Sequence, residues 1–307
     1  MWFLHRLFLL LPTALGVIIL VSLMIHLTPG NPADLMLGEY ATAHEKQILL
    51  TKLGLNIPIS QQIFNYITSV FHFDLGASIV ENTAVSKLIG ERLLNTAELA
   101  VASLLVALLV SLPIGILSAV YKNTKLDRIL MTFSVSGVAI PNFWLAPILI
   151  LIFSVSLDLL PVSEKAGLSS FILPSLTMGT SLAAILSRTM RSSMIEVLGE
   201  DYIRTARSKG VNNLSVLLVH GARNALLPII TLISLQLGAL MTGAIITETI
   251  FDWPGLGELL LRSINNRDYP VVQGCVLIFS CIYLLTNLMA DLTYSICDPR
   301  IQWKVKK

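Results

Sequence analysis

The chain of 307 residues is 54% hydrophobic and only 13% charged, which is about half the charged fraction of an ordinary soluble domain. Its formal net charge is only +2 and its Lys and Arg are dispersed, which argues against a nucleic-acid partner. The three cysteines show no C-x-x-C spacing, so neither a disulfide framework nor a zinc site is indicated. The composition predicts a membrane protein.

Six apolar stretches are long enough to cross the hydrocarbon core of a bilayer, which takes about 20 helical residues. We therefore predict an all-α membrane protein with six transmembrane helices. In chain order the predicted spans are Leu7 to Leu27, Thr96 to Tyr121, Ile129 to Leu157, Ile172 to Met194, Ala225 to Phe251 and Val271 to Ile296.

The first stretch is longer than the apolar region of a signal peptide, which is about 7 to 15 residues, and no small-x-small cleavage site precedes Thr28. We therefore expect residues 1–27 to remain as an N-terminal anchor helix. They are followed by an external region, residues 28–95, which we interpret as a surface cap. Residues 96–296 form a predicted five-helix core that contains an inner loop at 195–224, and residues 297–307 form a tail.

The segments between the predicted spans alternate between the two sides of the membrane. The side that holds both chain termini carries most of the Lys and Arg. Because cytoplasmic loops are enriched in basic residues, we expect both termini and the inner loop to be cytoplasmic.

The inner loop is longer than packing requires, since helix connections in bundles usually take about 2 to 8 residues. Its first part places acids before bases and ends in Gly210, which predicts a short helix that ends there in a left-handed turn. Asn212 or Asn213 is predicted to cap a second helix over residues 214–224, and Pro228 to mark the entry to the next span.

The first loop helix carries a small apolar ridge, because Leu198, Tyr202 and Ala206 recur at i, i+4 spacing with Ile203 beside them. The ridge is rimmed by Arg204, Arg207 and Lys209. Two interpretations stay open: docking into a groove of another protein, or lying on the membrane with the basic side chains at lipid phosphates.

The outer end of the fifth predicted span carries a rigid turn with a tryptophan, Asp252-Trp253-Pro254-Gly255-Leu256-Gly257. The tryptophan is typical of an aromatic belt at the membrane interface, and the turn equally suits a docking surface. Both interpretations stay open.

Acids within apolar spans are candidates for ion coupling, but Glu98, Glu248 and Asp291 all lie near the ends of spans. We therefore favour interfacial or subunit packing for them. Four residues inside spans serve either as hinges or kinks or as points of close helix packing, namely Pro113, Gly115, Pro141 and Pro147.

Enzyme motifs are missing from the sequence. It contains neither a G-x-x-x-x-G-K-[ST] phosphate loop nor a G-x-S-x-G nucleophile motif. The histidines are scattered, and His220 is expected to form a local hydrogen bond. We predict no metal site and no catalytic activity, so that any ATP is hydrolysed on another subunit.

The inner loop contains two distinctive segments, Asp201-Tyr202-Ile203-Arg204-Thr205-Ala206-Arg207-Ser208-Lys209-Gly210 and His220-Gly221-Ala222-Arg223-Asn224-Ala225-Leu226-Leu227-Pro228. Others are Thr28-Pro29-Gly30-Asn31-Pro32-Ala33, Ile140-Pro141-Asn142-Phe143-Trp144, Glu248-Thr249-Ile250-Phe251-Asp252-Trp253-Pro254-Gly255-Leu256-Gly257, Arg267-Asp268-Tyr269-Pro270 and Asp298-Pro299-Arg300. Together they resemble ABC-importer permeases of the peptide and nickel branch over essentially the whole chain. The inner-loop segments match its coupling-loop signature, although Arg204-Thr205-Ala206 stands where the wider superfamily has Glu-Ala-Ala.

This resemblance implies the fold of a type I importer permease in the bacterial cytoplasmic membrane, surrounded by membrane lipid. The implied partners are a second homologous permease subunit, two ATP-binding subunits that hold ATP and Mg, and an external substrate-binding protein. The implied cargo is a di- or oligopeptide, with a nickel chelate, glutathione or another small solute as alternatives. An ion-driven secondary transporter is the remaining alternative from another class.

The resemblance also implies two groups of site residues. The coupling residues expected to contact the ATP-binding subunits are Asp201, Tyr202, Ile203, Arg204, Thr205, Ala206, Arg207, Gly210, His220, Arg223, Asn224 and Pro228. The outer residues expected to contact the binding protein are Asp252, Trp253, Pro254, Gly255, Gly257, Arg267, Asp268 and Tyr269.

Overall fold

The computed structural model describes residues 12–13, 15–23, 42–52, 56–162, 165 and 167–297. Within these residues the structure is helical, and the one β pairing is an isolated bridge between Ala77 and Ala84. The predicted all-α class is confirmed. It follows from the need of a chain in lipid to pair every backbone N–H and C=O internally.

Twelve α-helices are labelled here in chain order among the described residues, and residues 15–23 are helical as well. The labelled helices are α1 Ala43–Lys52, α2 Ile59–Phe71, α3 Val85–Val120, α4 Lys125–Ala139, α5 Asn142–Leu149, α6 Ile172–Leu198, α7 Asp201–Ser208, α8 Asn213–Ser215, α9 Arg223–Gly243, α10 Ile245–Ile250, α11 Leu256–Asn265 and α12 Tyr269–Cys297. Ile150–Ser156 and Val216–Ala222 are π-helical, and Leu168–Phe171 is a 3₁₀ turn.

Four of the described helical segments are long and apolar enough to cross a membrane, namely Val85–Val120, Leu168–Leu198, Asn213–Thr242 and Tyr269–Thr293. A fifth is possible by length if the bent pair Lys125–Ala139 and Asn142–Ser156 counts as one span. The last five predicted spans therefore each have a counterpart. The first, Leu7 to Leu27, lies largely outside the described residues, so the predicted number of six is not fully tested.

The second span begins earlier than predicted. Helix α3 starts at Val85, within the predicted external region, and runs for 36 residues. At 1.5 Å per residue it is about 54 Å long, well beyond the roughly 30 Å hydrocarbon core. Hydropathy does not indicate the first turns of α3, because Lys87, Glu91 and Arg92 make them polar.

The third span is not continuous, contrary to the prediction. Helix α4 ends at Ala139, Ile140 and Pro141 are extended, and α5 leaves at an angle of 100° to α4. Proline lacks an N–H group and disfavours helical geometry in the residue before it, which accounts for the break. Of the two roles left open for Pro141, the structure shows the kink.

The chain divides into two compact units. Among the described residues, unit 1 contains those up to Thr96 together with Pro254–Leu284, and unit 2 contains Ala97–Trp253 together with those from Leu285 onward. Helix α6 lies at the centre of unit 2. Its core side chains, which pack with Ala107, Ala225 and Ile229, are Leu182, Leu186, Met190 and Met194.

Close helix packing in unit 2 depends on small residues. A Cβ atom on Gly115 of α3 would lie 2.6 Å from the Cβ of Met190 on α6, and one on Gly179 of α6 would lie 2.8 Å from the Ser103 carbonyl oxygen. Such approaches leave no room for a side chain. Gly115 therefore serves close packing.

Candidate functional site

Helix α7 ends in the predicted left-handed turn. Gly210 has a φ of +79°, its N–H donates to the Arg207 carbonyl oxygen at 3.0 Å, and the Val211 N–H donates to that of Ala206 at 3.2 Å. These two bonds form the Schellman motif, in which glycine avoids the steric penalty of a Cβ atom. The prediction for Gly210 is confirmed, with the last helical residue at Ser208.

The second half of the inner loop differs from the prediction. Asn212 is the cap, because its Oδ1 accepts a hydrogen bond from the Ser215 N–H at 2.7 Å. The helix that it starts does not end at Asn224 but continues through a π-helical turn to Thr242 as one segment. Pro228 accordingly lies inside α9 and not at the entry to a span. The helix is continuous across Pro228, and the connection between α6 and α8 is residues 199–212, shorter than the predicted loop at 195–224.

Helix α7 packs against the rest of unit 2 through its apolar side chains. Ile203 is only 1% exposed, and α7 packs against the π-helical turn Val216–Ala222. The Asn224 Nδ2 donates to the Tyr202 hydroxyl at 2.7 Å and to the His220 carbonyl oxygen at 3.2 Å. The predicted ridge is thus partly used within the chain, since Ile203 is buried and Ala206 is half-buried. At His220 the group that accepts this hydrogen bond is the backbone carbonyl oxygen and not the imidazole ring.

The exposed surface of α7 and of its C-terminal end is basic. It carries Arg204, Arg207 and Lys209, and Arg223 at the start of α9 is exposed as well. Arg204 lies 4.0 Å from Asp201, but both side chains are almost fully exposed, so this pair contributes little. Thr205 is also exposed, and its hydroxyl donates to the Asp201 carbonyl oxygen at 3.0 Å. These cations are available to another molecule.

A buried ion pair links three helices of unit 2 and was missed by the sequence analysis. The Asp127 carboxylate in the first turn of α4 accepts from Nε and Nη2 of Arg191 on α6 at 2.8 and 2.7 Å. It also accepts from the Ser118 hydroxyl on α3 and from the Asn123 N–H at 2.8 Å. We call these four residues the Asp127 cluster. Bidentate pairing with extra donors is what makes a buried carboxylate tolerable.

The only sequence signal for this cluster is local. Thr124 precedes Asp127 by three residues and is the N-cap of α4, its hydroxyl accepting from the Asp127 N–H at 3.4 Å. That spacing is typical of a helix start, but it does not identify Arg191 as the partner.

The outer residues are mostly not exposed. In unit 2, Trp253 is fully buried against Phe171, with ring centroids 4.6 Å apart, and within a cluster that includes Leu99 and Met178. A buried side chain does not form an aromatic belt at the membrane interface, so that interpretation is wrong, whereas the contact of this turn with a binding protein stays a prediction. Asp252 next to it is exposed.

In unit 1, Asp268 is only 3% exposed. Its carboxylate accepts from the Ser78 hydroxyl and from the Ile79 N–H at 3.0 Å, so it fixes the loop before α3. The side chain is already enclosed by its own chain, and its contact with a binding protein stays a prediction. Arg267 and Tyr269 beside it are half-buried.

The turn at residues 254–257 also belongs to the interior of unit 1. The Asn95 Nδ2 donates to the Pro254 carbonyl oxygen at 2.7 Å, and the Thr96 hydroxyl accepts from the Leu256 N–H at 2.8 Å. Gly255 and Gly257 are buried. Their contact with a binding protein stays a prediction.

Two of the three acids near span ends, Glu98 and Glu248, are involved in packing within the chain. Glu98 accepts from the Lys165 ammonium group, which lies 5.9 Å from the ring centroids of Phe171 and Trp253. Glu248 is buried in α10. In the part of the chain that the structure describes, no group of three or more His, Cys, Asp or Glu is placed to hold a metal ion.

A family model described as "Binding-protein-dependent transport system inner membrane component" matches residues 111–303. The chain is 44% identical to the "Glutathione transport system permease protein GsiC" of Salmonella choleraesuis (strain SC-B67), covering 98% of both chains. It is 42% identical to the protein of that name from Escherichia coli (strain K12), covering 97% of this chain and 98% of the relative.

Two solved structures are similar in fold. "Inward facing conformations of the MetNI methionine ABC transporter" matches with a TM-score of 0.60 at 15% identity, covering 69% of this chain and 97% of that chain. "Crystal structure of an amino acid ABC transporter with histidines" matches with a TM-score of 0.51 at 15% identity, covering 70% and 95%. At this identity the likeness concerns the fold alone.

Proposed function

Since the chain belongs to the family of inner-membrane components of binding-protein-dependent transport systems, we propose that it forms half of the translocation path of a bacterial ATP-driven importer for short peptides. The chain is a multi-pass permease subunit of an ABC importer and is not itself catalytic. The other half of the path is a second, homologous permease subunit. An external binding protein delivers the cargo, and two ATP-binding subunits hold ATP and Mg on the inner side.

The proposed transmission of movement depends on the attachment of α7 to two helices, α6 and α9. Only residues 199 and 200 separate α7 from the end of α6. On its other side α7 is held by the burial of Ile203 and by the hydrogen bond between Tyr202 and Asn224, at the start of α9. A displacement of α7 is therefore passed to both α6 and α9, as in rigid-body switching of packed helices.

The exposed basic side chains indicate which kind of surface α7 binds. Arg204, Arg207 and Lys209 suit an acidic groove on an ATP-binding subunit, and the left-handed turn at Gly210 fixes their presentation. The basic side is cytoplasmic by the positive-inside rule, which places both termini in the cytoplasm. Lipid phosphates are the alternative partner for the same cations.

Charge reversal separates the two partners. The double variant Arg204→Glu with Arg207→Glu should lose co-purification of the ATP-binding subunits and ATP-driven uptake. Lys122→Glu, an exposed charge change after α3, is the matched control and should retain both. Full retention of the complex by the double variant would instead support the contact with lipid.

Glutathione is the cargo to test first. It is a tripeptide, and the relatives identical at 42 to 44% are named for its transport. Other di- and oligopeptides remain within the same proposal, and a nickel chelate is the alternative from outside it. Labelled glutathione, a labelled dipeptide and nickel should be compared in cells with and without the external binding protein. Loss of peptide uptake alone supports the proposal, whereas loss of nickel uptake alone contradicts it.

A further inference from the structure

Unit 2 contains a pocket with a polar lining inside the apolar bundle. It is a partly open cleft of about 170 Å³ between the start of α5, the middle of α6 and the second half of α9. Its polar side chains are Asn142, Ser181 and Gln236, one from each helix. The apolar remainder of the lining consists of Met178, Leu182, Ile185, Ala239 and Leu240. A neighbouring pocket of about 190 Å³, between α3, α4, α5 and α6, is by contrast lined almost entirely by apolar atoms.

The amide groups that line this pocket make no hydrogen bond within the described part of unit 2. Within the described residues, neither the Asn142 nor the Gln236 side chain makes a hydrogen bond, and both are half-buried. The Ser181 hydroxyl donates to the Met178 carbonyl oxygen at 3.1 Å, which leaves its lone pairs as acceptors. Three helices thus present donors and acceptors toward a space large enough to hold water or solute.

Polar groups in this position need a partner. In a membrane bundle an uncharged amide that faces hydrocarbon is costly, so such groups face other helices or a wet cavity. Asn142 directly follows the break at Pro141, where α4 and α5 meet at 100°. Non-helical backbone within a membrane is tolerated only where it is buried in protein or lines a water-filled cavity. The break and the polar lining therefore indicate the same hydrated space.

We propose that Asn142, Ser181 and Gln236 form a contact site for the amide groups of the cargo as it crosses the membrane. The inference rests on the proposed function and names where unit 2 touches the cargo. Amide side chains both donate and accept, so they match the N–H and C=O of a peptide bond. Because no charged residue lines the pocket, it holds a peptide through its backbone and not through an ion pair, and weak contacts of this kind allow release.

The test uses the whole transporter in membrane vesicles, with the external binding protein and ATP supplied. The variants Asn142→Leu and Gln236→Leu keep the side-chain size approximately and remove the amide. Each should raise the KM for labelled glutathione about three- to tenfold, the loss expected for one or two neutral hydrogen bonds. Asn142→Gln, which retains an amide, should restore most of the affinity. The matched control on α9 is Ser234→Ala, whose hydroxyl only bonds to the Ile230 carbonyl oxygen.

Two further measurements distinguish failure of this inference from failure of the proposed function. Co-purification of the second permease subunit should be unchanged in both leucine variants, and basal ATP hydrolysis should be unchanged in the control Ser234→Ala. An unchanged KM in those variants overturns the inference while leaving the proposed function intact. Loss of the second permease subunit also overturns it, because the amides would then hold the two permeases together. Absence of ATP-driven peptide uptake by the unaltered transporter contradicts both the proposed function and this inference.

Discussion

Removal of the Asp127 carboxylate should destabilise unit 2 strongly. In Asp127→Ala the Arg191 guanidinium loses two charge-assisted hydrogen bonds, and the Ser118 hydroxyl and the Asn123 N–H lose their acceptor. Breaking a buried ion pair by removing one partner costs about 3–5 kcal/mol. Because the Arg191 side chain is 26% exposed, it regains some hydration when the carboxylate is removed. We therefore expect a loss of unfolding free energy at the lower end of this range, about 3 kcal/mol.

A double-mutant cycle isolates the pair. Arg191→Ala should be destabilising as well, and the double variant with Asp127→Ala should be less destabilised than the sum of the single changes by about 1–3 kcal/mol. The free energy of unfolding is measured on the purified transporter in detergent by denaturant titration. Glu196→Ala, an exposed position on the same helix as Arg191, is the control and should change stability by less than about 0.5 kcal/mol. Additive single effects would refute the argument that the pair acts as one buried unit.

Three further predictions concern local features. Gly210→Val should uncouple ATP hydrolysis from uptake, because φ at this position is +79° and a β-branched residue there distorts the turn after α7; unchanged uptake per ATP would contradict it. Trp253→Ala should lower stability by about 3–5 kcal/mol, since the side chain is fully buried; a change below 1 kcal/mol, measured by thermal unfolding, would contradict the burial. Hydrogen bonds from the Thr42 N–H and hydroxyl hold the pKa of Glu45 below its ordinary value. Their contribution to the stability of α1 is present above the ordinary carboxyl pKa and is lost as the pH falls through the lowered pKa. Amide-exchange protection of α1 should therefore fall in acid. The variant Glu45→Gln should remove that pH dependence.

Features encoded by adjacent residues could be predicted from the sequence. The turn at Gly210, the cap at Asn212 and the last span from Tyr269 to Cys297 each depend on the properties of a single short segment. The family also followed from local motifs, since the inner-loop segments are distinctive by themselves. These are the features for which propensity, capping and hydropathy act together.

Features that depend on a distant partner could not be predicted. Asp127 and Arg191 are 64 positions apart, and nothing in either segment selects the other. Tryptophan is a residue type common at membrane interfaces, and Trp253 is buried because residues distant in the sequence, among them Leu99, Phe171 and Met178, pack around it. The early start of α3 was missed for another reason, because hydropathy detects the part of a helix that lies in hydrocarbon and not its polar extension.

The most direct test of the account is to find out what α7 touches in the assembled transporter. Arg204 is replaced by a photo-crosslinking amino acid in the complete transporter, in membranes, and Lys122 is replaced in the same way as a control. We expect a cross-link from position 204 to an ATP-binding subunit, and none to that subunit from position 122. A cross-link from position 204 to lipid alone would contradict the claim that α7 receives the movement of the ATP-binding subunits.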